Sequence, residues 1–264
     1  MRQLRVFNGA LHYEFAMQVR RPAVWIGLGL IAALLFYAFN SMTTPGGGVS
    51  PTHLDTLILW TNSCNFLLTA GAGLLLADRM PRDRKTRVKE LLSASPASPL
   101  ATLMGKYLGS VAATLVPMFV IFGIGVGILT ARWGGSDFAI VPLALAAFAA
   151  LVVPAALFVG AFSIACTSLL WTPLYQFLFV GYWLWTNLNP AEAIPTLSGT
   201  LVSPAGNYVV TGFFHFSAYI PIDKGFYPTS SVGMGIANIA ALLVCGSLAL
   251  CGAWTLQRWQ TVRQ

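Results

Sequence analysis

Long apolar runs separated by short polar stretches dominate the chain, and this pattern predicts a bundle of membrane-spanning helices. A bilayer core of about 30 Å requires roughly 20 apolar residues in a helix. Residues 138–187 are apolar almost throughout, too long for one span but long enough for two, with turn chemistry near 166–173. The predicted spans cover residues 23–40, 55–77, 107–130, 138–162, 168–187 and 232–256. The sequence therefore predicts an all-α integral membrane protein with six transmembrane helices, in a single transmembrane domain over residues 1–264.

The first 21 residues precede these spans and show helical spacing. Their apolar positions are Leu4, Phe7, Leu11 and Phe15, which share one helical face. Glu14 is expected mostly away from that face. This pattern predicts an amphipathic interfacial helix over residues 1–21, with its apolar face in the headgroup boundary.

The segment between the last two spans, residues 188–231, contains five prolines and cannot form one long helix. It is nevertheless too apolar for a solvated loop. We expect short re-entrant or interfacial helices that dip into the membrane or cover a cavity. Its aromatic residues Phe213, Phe214 and Phe216 are candidates for an interfacial belt or for contact with a transported substrate.

Composition and charge support a membrane location. Only 9% of the residues are charged, whereas a soluble domain has about 25%. The net charge of +7 reflects orientation rather than a nucleic-acid partner, since thirteen of the fifteen Lys and Arg fall on one side of the predicted spans. Both termini and the loop 78–106 are therefore expected in the cytoplasm. The first apolar run begins after twenty mixed residues without a small-x-small cleavage site, so we expect an uncleaved, multi-pass chain in a bacterial-type inner membrane.

The loop 78–99 concentrates charge, because six of the fifteen basic residues lie between Arg79 and Lys89. Pro81 suits the first turn of a helix. The charged run is followed by Leu91 and Leu92, and a loop that only set the topology would need the charges alone. This arrangement is typical of a cytoplasmic helix that docks on another protein.

The order of features resembles the type-2 ABC permeases, the membrane subunits of ATP-binding-cassette exporters. The motif reads Glu90, Leu91, Leu92, Ser93, Ser95, Pro96, Gly105 and Lys106. The resemblance implies that 82–95 is a coupling helix seated on an ATPase and that 2–20 is a connecting helix. The implied ATPase contacts are Arg84, Arg87, Lys89, Glu90, Leu91 and Leu92.

The same resemblance implies partners. A second permease, identical or a sister chain, would complete the pathway, and two copies of the ATPase would lie beneath it. ATP and Mg would bind the ATPase, with no cofactor on this chain. Membrane lipid is the other expected partner. The transported cargo stays open, since no fused nucleotide-binding or large external domain helps to name it.

Polar residues in the second predicted span raise a separate question. Thr61, Asn62 and Asn65 would lie at membrane depth, where amides are costly unless they face a partner helix or a wet cavity. Hydrogen bonding between helices and the lining of a pathway are equally consistent with the sequence.

The sequence offers no catalytic constellation, no phosphate-binding loop and no metal-ligand spacing, so we expect no catalysis by the chain alone. A carrier driven by an ion gradient is an alternative, but it would need ionisable groups in mid-span, which are absent. A permease-like subunit that serves sensing or immunity without moving a substrate is the other alternative.

Overall fold

The computed structural model of the chain describes residues 2–43, 52–79, 98–134, 140–188, 196–216 and 230–262, and within these ranges the regular structure is helical, without a strand. The helices are α1 (Arg2–Val19), α2 (Pro22–Thr43), α3 (His53–Ala77), α4 (Pro99–Arg132), α5 (Ile140–Ala147), α6 (Val153–Thr167), α7 (Thr172–Leu188), α8 (Asn207–Phe214) and α9 (Val232–Val262). A π-helical turn, Phe148–Val152, joins α5 to α6, and a 3₁₀ turn, Leu197–Gly199, precedes α8. The predicted all-helical class is confirmed.

Four helical stretches within the described ranges are long and apolar enough to cross a membrane: Pro22–Ser41, Pro99–Arg132, Ile140–Thr167 and Val232–Leu256. They confirm a multi-pass membrane protein. The two remaining predicted spans correspond to α3, which carries more polar residues, and to α7, which has 17 residues. Between α6 and α7 the chain turns at residues 168–171, inside the stretch where the sequence predicts a break.

Helix α3 lies at the centre of the fold. Fifteen of its 25 residues are buried, and α2, α4, α6, α7 and the π-helical turn all pack on it. Trp60 anchors the main core, with Phe36 and Phe39 each 5.0 Å away between ring centroids. The Trp60 indole N–H donates to the Phe122 carbonyl on α4 at 3.2 Å. The core therefore depends on a polar contact as well as on apolar packing.

Hydrogen bonds from side chains to backbone carbonyls attach α6 and α7 to α3. Ser163 on α6 donates to Gly73 at 3.1 Å. Two α7 side chains do the same, because Gln176 donates to Leu74 at 3.1 Å and Trp183 donates to Phe66 at 3.0 Å. In a membrane, where apolar burial does not drive helices together, such contacts help to fix which helices associate.

Candidate functional site

The end of the bundle where α3 ends and α4 begins brings α1 into close contact with α4. A Cβ atom placed on Gly105 would lie 2.8 Å from the Phe7 carbonyl oxygen, and one on Gly109 would lie 2.6 Å from the Leu11 carbonyl oxygen. Only glycine permits this approach of two helix backbones. Gly105 and Gly109 therefore let α1 pack closely on α4.

A buried ion pair lies beside this contact. The Glu14 carboxylate of α1 pairs with the Arg79 guanidinium, which follows α3 by two residues. Glu14 is 3% exposed and Arg79 is 6% exposed. Charges this deeply buried persist when they are paired, because removing either partner leaves an uncompensated charge. The pair therefore joins α1 to the end of α3.

Further polar groups surround the pair. The Glu14 carboxylate and the Arg79 guanidinium line a small cavity with room for about one water molecule. The same cavity is lined by three α4 residues, Lys106, Tyr107 and Ser110. The Tyr107 hydroxyl donates to the Leu157 carbonyl at 2.9 Å and so ties α4 to α6. A second, more exposed ion pair joins Arg21 to Asp78 at 3.9 Å. This end of the bundle is thus a polar junction of α1, α3 and α4.

The predicted coupling segment leaves the bundle from this junction. Its residues Arg84, Arg87, Lys89, Glu90, Leu91 and Leu92 lie outside the described residues, as does the predicted helix 82–95. Their contact with an ATPase stays a prediction. The residues that flank the segment are described, and both Arg79 and the start of α4 belong to the junction.

Near the middle of α3, a turn at residues 200–206 enters the bundle. Asn65 lies twelve residues inside α3, about 18 Å from its start. Its amide donates to the carbonyls of Pro204 at 2.9 Å and Ala205 at 3.1 Å. The Thr69 hydroxyl in turn donates to the side-chain Oδ1 of Asn65 at 3.2 Å. The turn is thereby fixed deep within the helices.

Helix α9 fixes the same turn from another side. Asn238 donates to the carbonyls of Leu201 at 2.7 Å and Ser203 at 3.0 Å. Gly206 then begins α8 with φ of +78°, a left-handed conformation suited to glycine. A side chain there would also press on Leu151, at 3.2 Å from a Cβ atom.

The polar residues of α3 that the sequence suggests for a pathway differ in burial and in hydrogen bonding. Asn65 and Thr61 are fully buried within the chain, and Thr61 donates to the Leu57 carbonyl of its own helix. Asn62 is half-buried. Asn65 thus hydrogen-bonds to a turn rather than to another helix, and a pathway role for these residues stays a prediction.

The three aromatic candidates lie at the end of α8. Phe213 packs against Gly235 of α9, whereas Phe214 and Phe216 are buried in the main core. Their rings therefore fill the protein interior within this chain rather than forming an exposed belt. Contact with a transported substrate stays a prediction for them.

Sequence reasoning missed Glu14 and Asn238. The expectation that Glu14 faces away from the packed side of α1 is wrong, since that side runs along Phe7, Leu11, Glu14 and Gln18. Glu14 lies three residues after Leu11 and four before Gln18, which is helical spacing. The predicted face instead continued from Leu11 to the aromatic Phe15 and was purely apolar. Asn238 is one amide in a long apolar helix, and nothing in the sequence indicated its partner.

Comparison with known proteins identifies a family for this chain. The family model described as ABC-2 family transporter protein matches residues 65–253. The match therefore runs from Asn65 in α3 to Ala253 in α9, and it includes the residues on both sides of the coupling segment. No curated protein matches the chain.

Proposed function

The chain belongs to the ABC-2 transporter family, and from that premise we propose that it is the permease subunit of an ATP-binding-cassette exporter. It would form part of the translocation pathway and receive its energy from a separate ATPase subunit. The chain contributes no phosphate-binding loop of its own. The observation that carries the proposal is the polar junction at the base of the charged segment, within a chain of this family.

The proposed topology has six spans, with both termini and the segment 78–99 in the cytoplasm of a bacterial-type inner membrane. Helix α3 has 25 residues and a length of about 37 Å, enough to cross the hydrocarbon core. Its polar residue Asn65 bonds to the turn at 200–206, whereas Thr61 and Ser63 bond within α3 itself. The asymmetric placement of basic residues supports the orientation.

Coupling is proposed to run through residues 82–95. Arg84, Arg87, Lys89 and Glu90 would make charged contacts with the ATPase, and Leu91 and Leu92 would enter its groove. The segment 78–99, which contains these residues, connects the end of α3 to the start of α4. Because it includes Arg79, a force on it reaches the polar junction directly. ATP-driven closure of two ATPases would move the two coupling helices together.

The pathway is proposed to lie between two permeases, either identical copies or this chain with a sister chain. The turn at 200–206 and helix α8 would form the re-entrant part of the outer segment. Carbonyl groups of the turn accept hydrogen bonds from Asn65 and Asn238. Non-helical backbone at membrane depth needs such donors. Movement of α3 or α9 would therefore carry this turn with it.

A permease-like subunit that serves sensing or immunity is the second candidate. It is compatible with the same junction and the same coupling segment. Measuring whether a compound crosses the membrane during ATP hydrolysis separates the two. A carrier driven by an ion gradient is less well supported, since the mid-span positions carry no ionisable side chain.

The decisive experiment is purification of the tagged chain from its native membranes in mild detergent. We expect an ATPase subunit with a phosphate-binding loop to co-purify in stoichiometric amount. Alanine at residues 84–92 should abolish this, while alanine at Arg258 and Arg263, basic residues beyond the last span, should not. Recovery of the chain without any ATPase, even after mild crosslinking, would falsify the proposal. Two differently tagged copies in one cell distinguish a homodimer from a pair of sister chains.

A further inference from the structure

We infer that the Glu14–Arg79 ion pair makes α1 and the coupling segment a single moving unit. Glu14 is then a positioning residue that transmits the state of the ATPase to α1. The inference rests on the proposed function, because it requires an ATPase that acts on residues 82–95.

The position of Arg79 is the first step of the argument. It lies two residues beyond the end of α3 and directly before the segment that begins at residue 80. A displacement at residue 80 is therefore passed to Arg79 through the backbone. Arg79 is 6% exposed, and its guanidinium pairs with the carboxylate of Glu14, which is 3% exposed.

Burial makes this contact stiff. A surface ion pair in water can exchange partners at little cost. A buried pair cannot separate without leaving two unsolvated charges, so Glu14 follows when Arg79 moves. The more exposed pair between Arg21 and Asp78, with its atoms 3.9 Å apart, lacks this constraint.

Helix α1 also holds the far end of the segment. The segment returns to the bundle at α4, where Gly105 and Gly109 accept the α1 backbone at the first turns after Pro99. The close fit prevents α1 from sliding freely on α4. Both ends of the coupling segment are thus attached to one helix, through an ion pair at one end and backbone packing at the other.

Helix α1 continues this attachment to the first span. Arg20 and Arg21 separate it from α2, which begins at Pro22. A movement of α1 therefore reaches α2, and α2 packs on both α3 and α4. The coupling segment gains a second route into the bundle besides its direct connections to α3 and α4.

The test uses the complete complex with its ATPase in lipid nanodiscs. A fluorophore is attached to α1 through Asn8→Cys, an exposed position, in a chain whose exposed Cys251 is replaced by serine. The same chain without the new cysteine measures background labelling. Emission is compared without nucleotide and with ATP plus vanadate, so that no substrate needs to be known.

The wild-type label should shift its emission with ATP plus vanadate. Glu14→Gln should weaken this shift while the ATPase still co-purifies, because only the packing of α1 on α4 then links α1 to the segment. Glu14→Asp, which keeps the charge, should retain the full shift. The exchanged pair, Glu14→Arg with Arg79→Glu, should restore the shift. Asp78→Asn, which breaks the neighbouring exposed pair, should leave it unchanged.

The opposite results are equally clear. A full shift in Glu14→Gln overturns the inference, as does the absence of a shift in the wild-type complex with its ATPase bound. Aggregation of Glu14→Gln in detergent means that the pair serves folding alone and also overturns it. If no ATPase accompanies the wild-type chain, the proposed function fails and this inference fails with it.

Discussion

The amide of Asn65 donates to the carbonyl oxygens of Pro204 and Ala205, at 2.9 Å and 3.1 Å, across 139 and 140 positions of the sequence. The contact lies in the interior of α3 rather than at its end. Backbone carbonyls outside a helix need donors at such depth, because lipid and apolar side chains provide none. Together with Asn238 of α9, this side chain fixes where the turn at 200–206 enters the bundle.

Replacing Asn65 with leucine should destabilise the protein. The variant keeps the volume but leaves two buried carbonyls without a donor, at a cost of about 1–3 kcal/mol for each group. We expect a clearly lower midpoint of thermal unfolding for the purified protein, followed by tryptophan fluorescence in detergent.

Ser63→Ala provides the matched control two positions away. Its hydroxyl donates only within its own helix, to the Leu59 carbonyl at 2.8 Å, so the change should stay within about 0.5 kcal/mol. Equal unfolding midpoints for Asn65→Leu and wild type would show that the turn does not depend on this amide.

The sequence indicated that Asn65 needed a partner, but it did not indicate which one. An amide in an apolar run signals a cost that must be met, whereas its partner depends on how segments far apart in sequence fold together. Asn238 is also an amide in an apolar run, but it is harder to recognise because it stands alone rather than in a polar cluster. Helix type and approximate position were predictable from apolar runs, since backbone bonding in lipid leaves few alternatives.

The α4 glycines show the same division. The spacing of Gly105 and Gly109 is typical of a close helix contact in a membrane, but it does not indicate which helix packs there. Helical spacing alone puts Glu14 off the apolar face of α1, because that face is defined by apolar residues only. A buried charge reverses that reading, and its partner Arg79 lies 65 positions away.

Gly125→Ala should disturb the main core. A Cβ atom there would lie 2.0 Å from the Trp60 ring, so the indole must move and its hydrogen bond to Phe122 must lengthen. Overpacking of this kind costs about 1–3 kcal/mol. Thermal unfolding in detergent should report a lower midpoint, accompanied by a shift of tryptophan emission.

Gly123→Ala tests whether the effect comes from space or from the loss of glycine. Gly123 lies in the same helix with nothing within 4 Å of a Cβ atom. Alanine favours the helix by up to about 1 kcal/mol, so this variant should be neutral or slightly stabilised. A similar loss of stability in both variants contradicts the proposed role of the Trp60 contact.

Gly109→Val should separate α1 from α4 without removing a charge. The added side chain meets the Leu11 carbonyl, only 2.6 Å from the position of the Cβ atom. Hydrogen exchange of a peptide covering α1 should become faster, because its packing surface is lost. Gly127→Val, at an open position of the same helix, should leave that exchange unchanged. Unaltered protection of α1 in Gly109→Val would mean that other contacts hold the helix.

Glu90→Lys should uncouple ATP hydrolysis from transport. The change reverses the one acidic charge between Arg84 and Leu92, and like charges facing across an interface disfavour docking. The spans are untouched, so insertion and the midpoint of thermal unfolding should match wild type. Inside-out vesicles should continue to hydrolyse ATP while uptake of the exported compound falls.

Lys85→Glu gives a comparable reversal of charge outside the proposed contact residues. If only the contact set matters, this variant should transport nearly as well as wild type, and the loss should be specific to Glu90→Lys. If both variants fail equally, the net charge of the segment governs coupling rather than a fitted helix. Wild-type transport in Glu90→Lys would overturn the assignment of residues 82–95 as the coupling helix.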